Sequence, residues 1–394
     1  MTSRTAVVIL LACSLSTSCV GASRTRTPLD APARARFDAG RLADSIGTIL
    51  DAAVRDSAFP GGLAVVGTAT GVVVSRSAGH LDWSESPAPD RYTLWDLASL
   101  TKVIGLTSGI MLLVEEGRID LDAPVQRYLG DWQGIGKERV TVRHLLTHSS
   151  GLPAWRPLYK EADSPADALA LVMSTGLDTV PGVRMVYSDL GAILLGQVVA
   201  RVSGQPLDRY LAERVFQPLG MTETLFRPPA SLHGRTAPTE VDPWRGRHLR
   251  GEVHDENAFA LGGVSAHAGL FSTANDLVLI ARMYLGAGQL DGRRFLSAAT
   301  IDRFTALQDA ALSHRALGWE KPNGSNSAGG LMSARAFGHT GFTGTSIWFD
   351  PERGVFVLLL TNRVNPTRER RQIARVRIAV SDAVMGAVLN GNGR

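Results

Sequence analysis

β-forming apolar runs sit near both ends of the chain with a helix-rich stretch between them, and few folds accommodate that order. Leu63 to Thr68 and Val72 to Ser77 are separated by Ala69-Thr-Gly71, the pattern of a hairpin and so of antiparallel pairing. Ser346 to Phe349 and Val355 to Thr361 repeat it around Asp350-Pro-Glu-Arg-Gly354. Strands from the two termini are expected to meet in one antiparallel sheet, with residues 102–262, approximately, as an inserted helical lobe. Apolar residues at helical spacing predict helices over 37–57, 103–116, 165–174, 190–202 and 206–216, the first stopped by Phe59-Pro-Gly-Gly62. The expected class is α/β of the α+β type, an antiparallel sheet flanked by helices, in one domain over residues 37–394.

Ahead of that domain, residues 1–19 read as a signal peptide, a short apolar core behind Arg4, and residues 20–36 as a polar, Pro-containing tether. Export is therefore expected, to the periplasm, the medium or a membrane anchor. Both cysteines lie in this leader, and a cysteine just behind an apolar run resembles a bacterial lipoprotein cleavage site. Cys19 gives the usual leader length but has Ser16 where Leu is usual; Cys13 has Leu10 upstream but a short leader. A lipid anchor at either stays open. The mature domain then has no cysteine, which excludes a disulfide scaffold and a thiolate metal site. No later run is expected to reach membrane-span length, the longest being Val355 to Leu360.

Net charge is +4, yet only four of the 41 basic residues are lysines, and no basic run is interleaved with aromatics, so no nucleic-acid partner is expected. Scarce lysine makes Lys102 informative. In Trp95-Asp-Leu-Ala-Ser99-Leu-Thr-Lys102 a serine opens an apolar helix and the lysine follows one turn later on the same face. A serine hydroxyl attacks only when a neighbour takes its proton, and a helix start offers free N–H groups to an oxyanion. Alone the pair reads equally as an N-cap serine and a solvated lysine. Tyr187-Ser-Asp189, at the start of an apolar helix, and His339-Thr-Gly341, on a Gly-rich β run, change that weighting.

Together, in this order, the three motifs resemble those of the serine β-lactamase and penicillin-binding protein family. The closest branch has tyrosine in the second motif: class C β-lactamases, D-alanyl-D-alanine carboxypeptidases, and their esterase and amidase relatives. Leu145 to Leu152 and Gly262 to Ser272 add to the resemblance. It implies a β-lactamase/transpeptidase-like fold with Ser99 as nucleophile. Lys102 and Tyr187 would move the proton, a phenolate beside cationic Lys102 taking it from Ser99. The N–H groups of Ser99 and Phe342 would form the oxyanion hole, with no cofactor. Thr340, Gly341 and Thr343 would meet the leaving or carboxylate end of a substrate.

Two positions depart from the family pattern. His339 replaces a lysine, so a neutral imidazole is expected, giving a weaker, pH-dependent positive field toward a substrate carboxylate. Asp189 replaces an asparagine, exchanging an amide donor for a carboxylate beside Lys102. Both argue against an efficient β-lactamase. The implied activity is hydrolysis of a cell-envelope amide or ester, a D-alanyl or muramyl peptide, by a monomer. A small-ester esterase, a weak β-lactamase and a non-catalytic binding module are the alternatives. His254-Asp-Glu256 with His267 admits a metal reading, but without a His-Glu-x-x-His helix no metal is expected; its other reading is a polar connection into the Gly262-Gly263 turn. By resemblance to a subgroup of cell-wall turnover proteins, His254 and Asp255 would shape the substrate pocket. His148 is expected to be structural.

Overall fold

The structure, a computed structural model, describes residues 37–84 and 86–391. The leader, Cys13, Cys19 and the tether lie outside the described residues.

Five antiparallel strands form the main sheet, ordered in space as Phe337–Thr340, Ser346–Asp350, Val355–Thr361, Gly61–Thr68 and Gly71–Gly79. The two terminal hairpins are joined edge to edge, with Leu63 opposite Leu360 and Val65 opposite Leu358. Successive side chains on a strand face opposite ways. Ala64, Val66, Val357 and Leu359 therefore enter one core with Leu42, Ile46 and Leu50 of the first helix and Val380 and Val384 of the last. Leu63, Val65, Phe356, Leu358 and Leu360 enter the larger core on the other face. That is why Val355–Thr361 is buried throughout rather than alternately. The first helix, Ala39–Arg55, begins where the Asp38 carboxylate accepts the Arg41 N–H at 3.0 Å.

Helices at Pro165–Ser174, Asp189–Ser203 and Leu207–Leu211 stand in the middle of the chain where periodicity predicts them. The sequence reading missed a small sheet in which Trp95–Asp96 and Leu225–Phe226 flank Leu270–Ser272. Strands of two or three residues carry no period. The segment from Asp255 to Gly263 is not a bare polar connection. Asp255 accepts the Ala258 N–H at 2.8 Å and caps a helix, Glu256–Ala260, which ends at Gly262 and Gly263 with φ of 84° and 78°.

The helical run Ala98–Glu115 differs from expectation in another way. Its 18 residues have a mean hydropathy of 1.4, long and apolar enough by composition to cross a membrane, but they lie mostly inside the core. It opens as a 3₁₀ turn, widens to π geometry over Lys102–Thr107 and continues as an α-helix from Ser108. The Thr107 and Ser108 hydroxyls donate to the carbonyls of Lys102 and Val103, five residues back, at 2.8 and 3.3 Å. Such wide turns recur at functional sites.

Candidate active site

Ser99 lies one residue past a strained turn. Ala98 holds φ of 45°, rare for a residue with a Cβ. Asp96 fixes it: one carboxylate oxygen accepts the Ala98 N–H at 2.8 Å and the other the His254 N–H at 2.7 Å. Burial pushes the Asp96 carboxyl pKa up, against these two bonds. The strand carrying the third motif is tied to the same turn, the Thr343 hydroxyl donating to Asp96 O at 2.7 Å and the Thr345 hydroxyl to Leu97 O at 3.1 Å. Gly341 is required by this approach, since a Cβ would collide with Leu97 O and the Thr345 hydroxyl. The N–H groups of Ser99 and Phe342 have no acceptor among the described residues and flank one cleft.

Lys102 is 3% exposed and fully engaged. Its ammonium donates to Ser99 Oγ at 3.0 Å and His267 O at 2.9 Å, and pairs with Asp189 at 2.7 Å. Burial alone would lower its pKa, but Asp189 and the adjacent Tyr187 outweigh burial and hold it above the ordinary lysine value. Lys102 is therefore a cation at neutral pH, with no lone pair to accept a proton. The Tyr187 hydroxyl, by contrast, is buried with no hydrogen-bond partner among the described residues.

The second motif is held by the 145–152 segment. His148 Nδ1 accepts the Ser188 N–H at 3.1 Å, and its ring lies 4.4 Å from that of Tyr187. The Ser188 hydroxyl donates to Pro153 O at 2.7 Å and accepts the Gly191 N–H at 3.2 Å, capping the helix that begins at Asp189.

His339 is 3% exposed. Its Nδ1 lies 2.9 Å from Thr340 O, and because a carbonyl only accepts, the proton sits on Nδ1 and leaves Nε2 a lone pair. Burial, then Arg315 and Lys102, depress the His339 pKa well below the ordinary histidine value. The imidazole is neutral, as expected from the sequence, and Nε2 is an acceptor, so the weak positive field expected of it is absent. Positive charge in this cleft, of about 650 Å³, comes instead from Arg315, Arg363, Arg368, Arg371 and Arg377, against Glu320 and Glu369. The Arg315 guanidinium lies 5.1 Å from the Tyr187 ring centre, with one nitrogen buried and unpartnered. Sequence reading missed these arginines; in an arginine-rich chain none carries a motif.

Two expected substrate contacts, Thr343 and His254, are engaged elsewhere, and the third, Asp255, is paired within the site. Thr343 is buried, its hydroxyl spent on Asp96 O. His254 points away from the cleft to Glu240 at 2.9 Å, and its ring stacks behind half-exposed Phe342 at 5.7 Å. His254 and Arg368, opposing the effect of burial, push Glu240 down to about 2. Asp255 pairs with His267 Nε2 at 2.9 Å.

Of the candidate metal ligands, only Asp255 and His267 come together, with Asp189 as third member; Glu256 pairs with Arg368 at 2.7 Å. The Lys102 ammonium already neutralises Asp189 and helps hold the Asp255 carboxyl pKa down. A cation beside that ammonium would meet like charge, so this donor set does not fit a metal.

Two buried neutral histidines give a pH expectation. The His148 pKa is also depressed, by burial first. Below pH ~6.5 the unfolded histidines bind protons while the native ones do not, so stability falls as pH drops. Each contributes a slope of up to about 1.4 kcal/mol per pH unit. The melting temperature should fall between pH 7 and 5, and His339→Gln should flatten that fall; an unchanged slope would contradict the neutral assignment.

The profile of the family described as Beta-lactamase matches residues 46–381. The Escherichia coli K12 protein named "Putative D-alanyl-D-alanine carboxypeptidase" is 33% identical over 305 residues, 69% of this chain and 69% of that protein. The protein of the same name from Salmonella agona is 32% identical over the same shares. Among solved structures, EstCE1, "a hydrolase with promiscuous acyltransferase activity", aligns with a TM-score of 0.72 at 21% identity, covering 88% of this chain and 99% of its own. A penicillin-binding protein homologue from Caulobacter crescentus aligns with a TM-score of 0.72 at 21% identity, covering 88% and 97%. At such identities the structural likeness shows the fold.

Proposed function

The chain belongs to the β-lactamase family, and from that premise we propose that it is an exported hydrolase whose acyl-enzyme forms on Ser99. The substrate is an amide or ester of the cell envelope whose leaving group carries a carboxylate, such as a D-alanyl or muramyl peptide. The observation that carries this reading is Arg315 in the cationic wall of the cleft, which has a buried, unpartnered nitrogen and no carboxylate within ion-pair distance among the described residues. An anionic group on the substrate would supply the missing counter-charge.

The chemistry follows from which groups are free. Lys102 keeps its proton, so Tyr187 acts as a phenolate beside that ammonium, its own proton already lost to solvent, and takes the proton of Ser99 as Oγ bonds to the substrate carbonyl carbon. Negative charge develops on the carbonyl oxygen between the Ser99 and Phe342 N–H groups. Tyr187 then returns the proton to the departing amine or alkoxide, and the carbon–leaving-group bond breaks. Water repeats the sequence on the acyl-enzyme and releases Ser99. The small-ester reading is favoured by neutral His339 and by apolar, half-exposed Phe342 at the rim.

Hydrolysis of a D-alanyl-D-alanine peptide with a free C-terminus, compared with its C-terminal amide, tests the reading. The free acid is expected to have a KM at least about tenfold lower, equivalent to one charge-assisted contact. Equal kinetics for acid and amide, with fast turnover of p-nitrophenyl esters, would transfer the assignment to an esterase. Labelling by a fluorescent penicillin alongside a fluorophosphonate separates the two in a second way, the esterase reacting with the phosphonate alone.

A further inference from the structure

Arg377 is a half-buried cation with no carboxylate at ion-pair distance among the described residues. It projects from the last helix, Ile373–Gly391, toward the third-motif strand. One of its terminal nitrogens donates to Gly341 O at 2.7 Å and to Thr345 O at 2.8 Å. Its Nε is buried and unpartnered. Holding a half-buried charge without a counter-charge is costly, so what the charge does there needs an account.

The carbonyl it contacts and the free N–H of Phe342 are opposite ends of one peptide group. That group is a resonance unit: drawing electron density onto the oxygen makes the N–H a stronger donor. We propose that Arg377 is a positioning residue of the oxyanion hole, orienting the Gly341–Phe342 peptide and polarising its N–H by a charged hydrogen bond to the carbonyl at the other end. This rests on the Ser99 acyl-enzyme reading. Bracing the turn is not a sufficient account. The Gly341 N–H already bonds Thr345 O at 2.7 Å and the Gly344 N–H bonds Gly341 O at 3.1 Å, closing the same turn without help. A neutral donor would also serve as a brace; polarisation requires the charge.

The test uses the full chain and a neutral p-nitrophenyl ester, so that charge lost from the cleft cannot alter the binding of a substrate carboxylate. Wild type, Arg377→Met and Arg377→Gln are compared in kcat, in KM and in the carbonyl stretch of the isotope-labelled acyl-enzyme. One oxyanion donor is worth roughly 10²- to 10³-fold in rate, and weakening it without removing it should cost about tenfold in kcat. KM should stay within about twofold, because the interaction strengthens only as charge develops. The acyl carbonyl band should move to higher frequency in Arg377→Met. Arg377→Gln, a donor without charge, should show a substantial part of the same shift and carries the test should the methionine variant not fold. A kcat within twofold of wild type in the glutamine variant, or a slowed variant with an unmoved band, overturns the proposal. A wild type that forms no Ser99 adduct overturns this inference together with the function it rests on.

Discussion

Ser99→Ala is expected to lower turnover of every ester and amide substrate by about 10⁴- to 10⁶-fold, the effect of deleting a nucleophile, while leaving the fold intact. Ser99 is only partly buried, and its hydroxyl makes one contact, accepting from Lys102 at 3.0 Å. Lys102 keeps Asp189 and His267 O after the change, so one hydrogen bond is lost, worth about 1 kcal/mol. The strained turn at Ala98 is held by Asp96 and should survive unaltered. Kinetics and thermal melting on one preparation check both halves. Activity that persists, or a phosphonate adduct that maps to Ser149, Ser150 or Ser188, would remove Ser99 from its role. Those three are buried, and Ser188 is tied into a helix cap, so none should be labelled.

The sequence made the terminal hairpins legible because strand alternation and turn residues are local signals. Ser99, Lys102 and Tyr187 were legible by motif, and the structure brings them into one site. Asp189 was read correctly as a carboxylate beside Lys102, since it is two residues from Tyr187 and shares the helix start. His339 was located and read as neutral, but the residual field expected of it is removed by burial and by Arg315, a contact with no trace in local spacing. Arg315, Arg363 and Arg377 were invisible for a related reason. In a chain where arginine supplies nearly all the positive charge, a functional arginine looks like a surface one until the fold buries it. The links from Glu240 to His254 and Arg368 likewise join segments far apart in sequence.

Lys102→Met should damage both activity and stability, for separable reasons. Activity should fall by about 10³- to 10⁴-fold, since the variant loses the cation beside Ser99 and Tyr187. The stability loss comes from what is left behind. Asp189, with a side chain 20% exposed, loses its ion-pair partner, and the Asp255 carboxylate stands close enough that one oxygen of each and a nitrogen of His267 all lie within 4.8 Å of one another. Leaving a largely buried charge unpaired costs about 3–5 kcal/mol. Asp189→Asn added to Lys102→Met should restore much of the melting temperature and none of the activity. If the double variant melts no higher than the single one, the Lys102–Asp189 pair does not hold the site together, and the cost of removing Lys102 lies in packing.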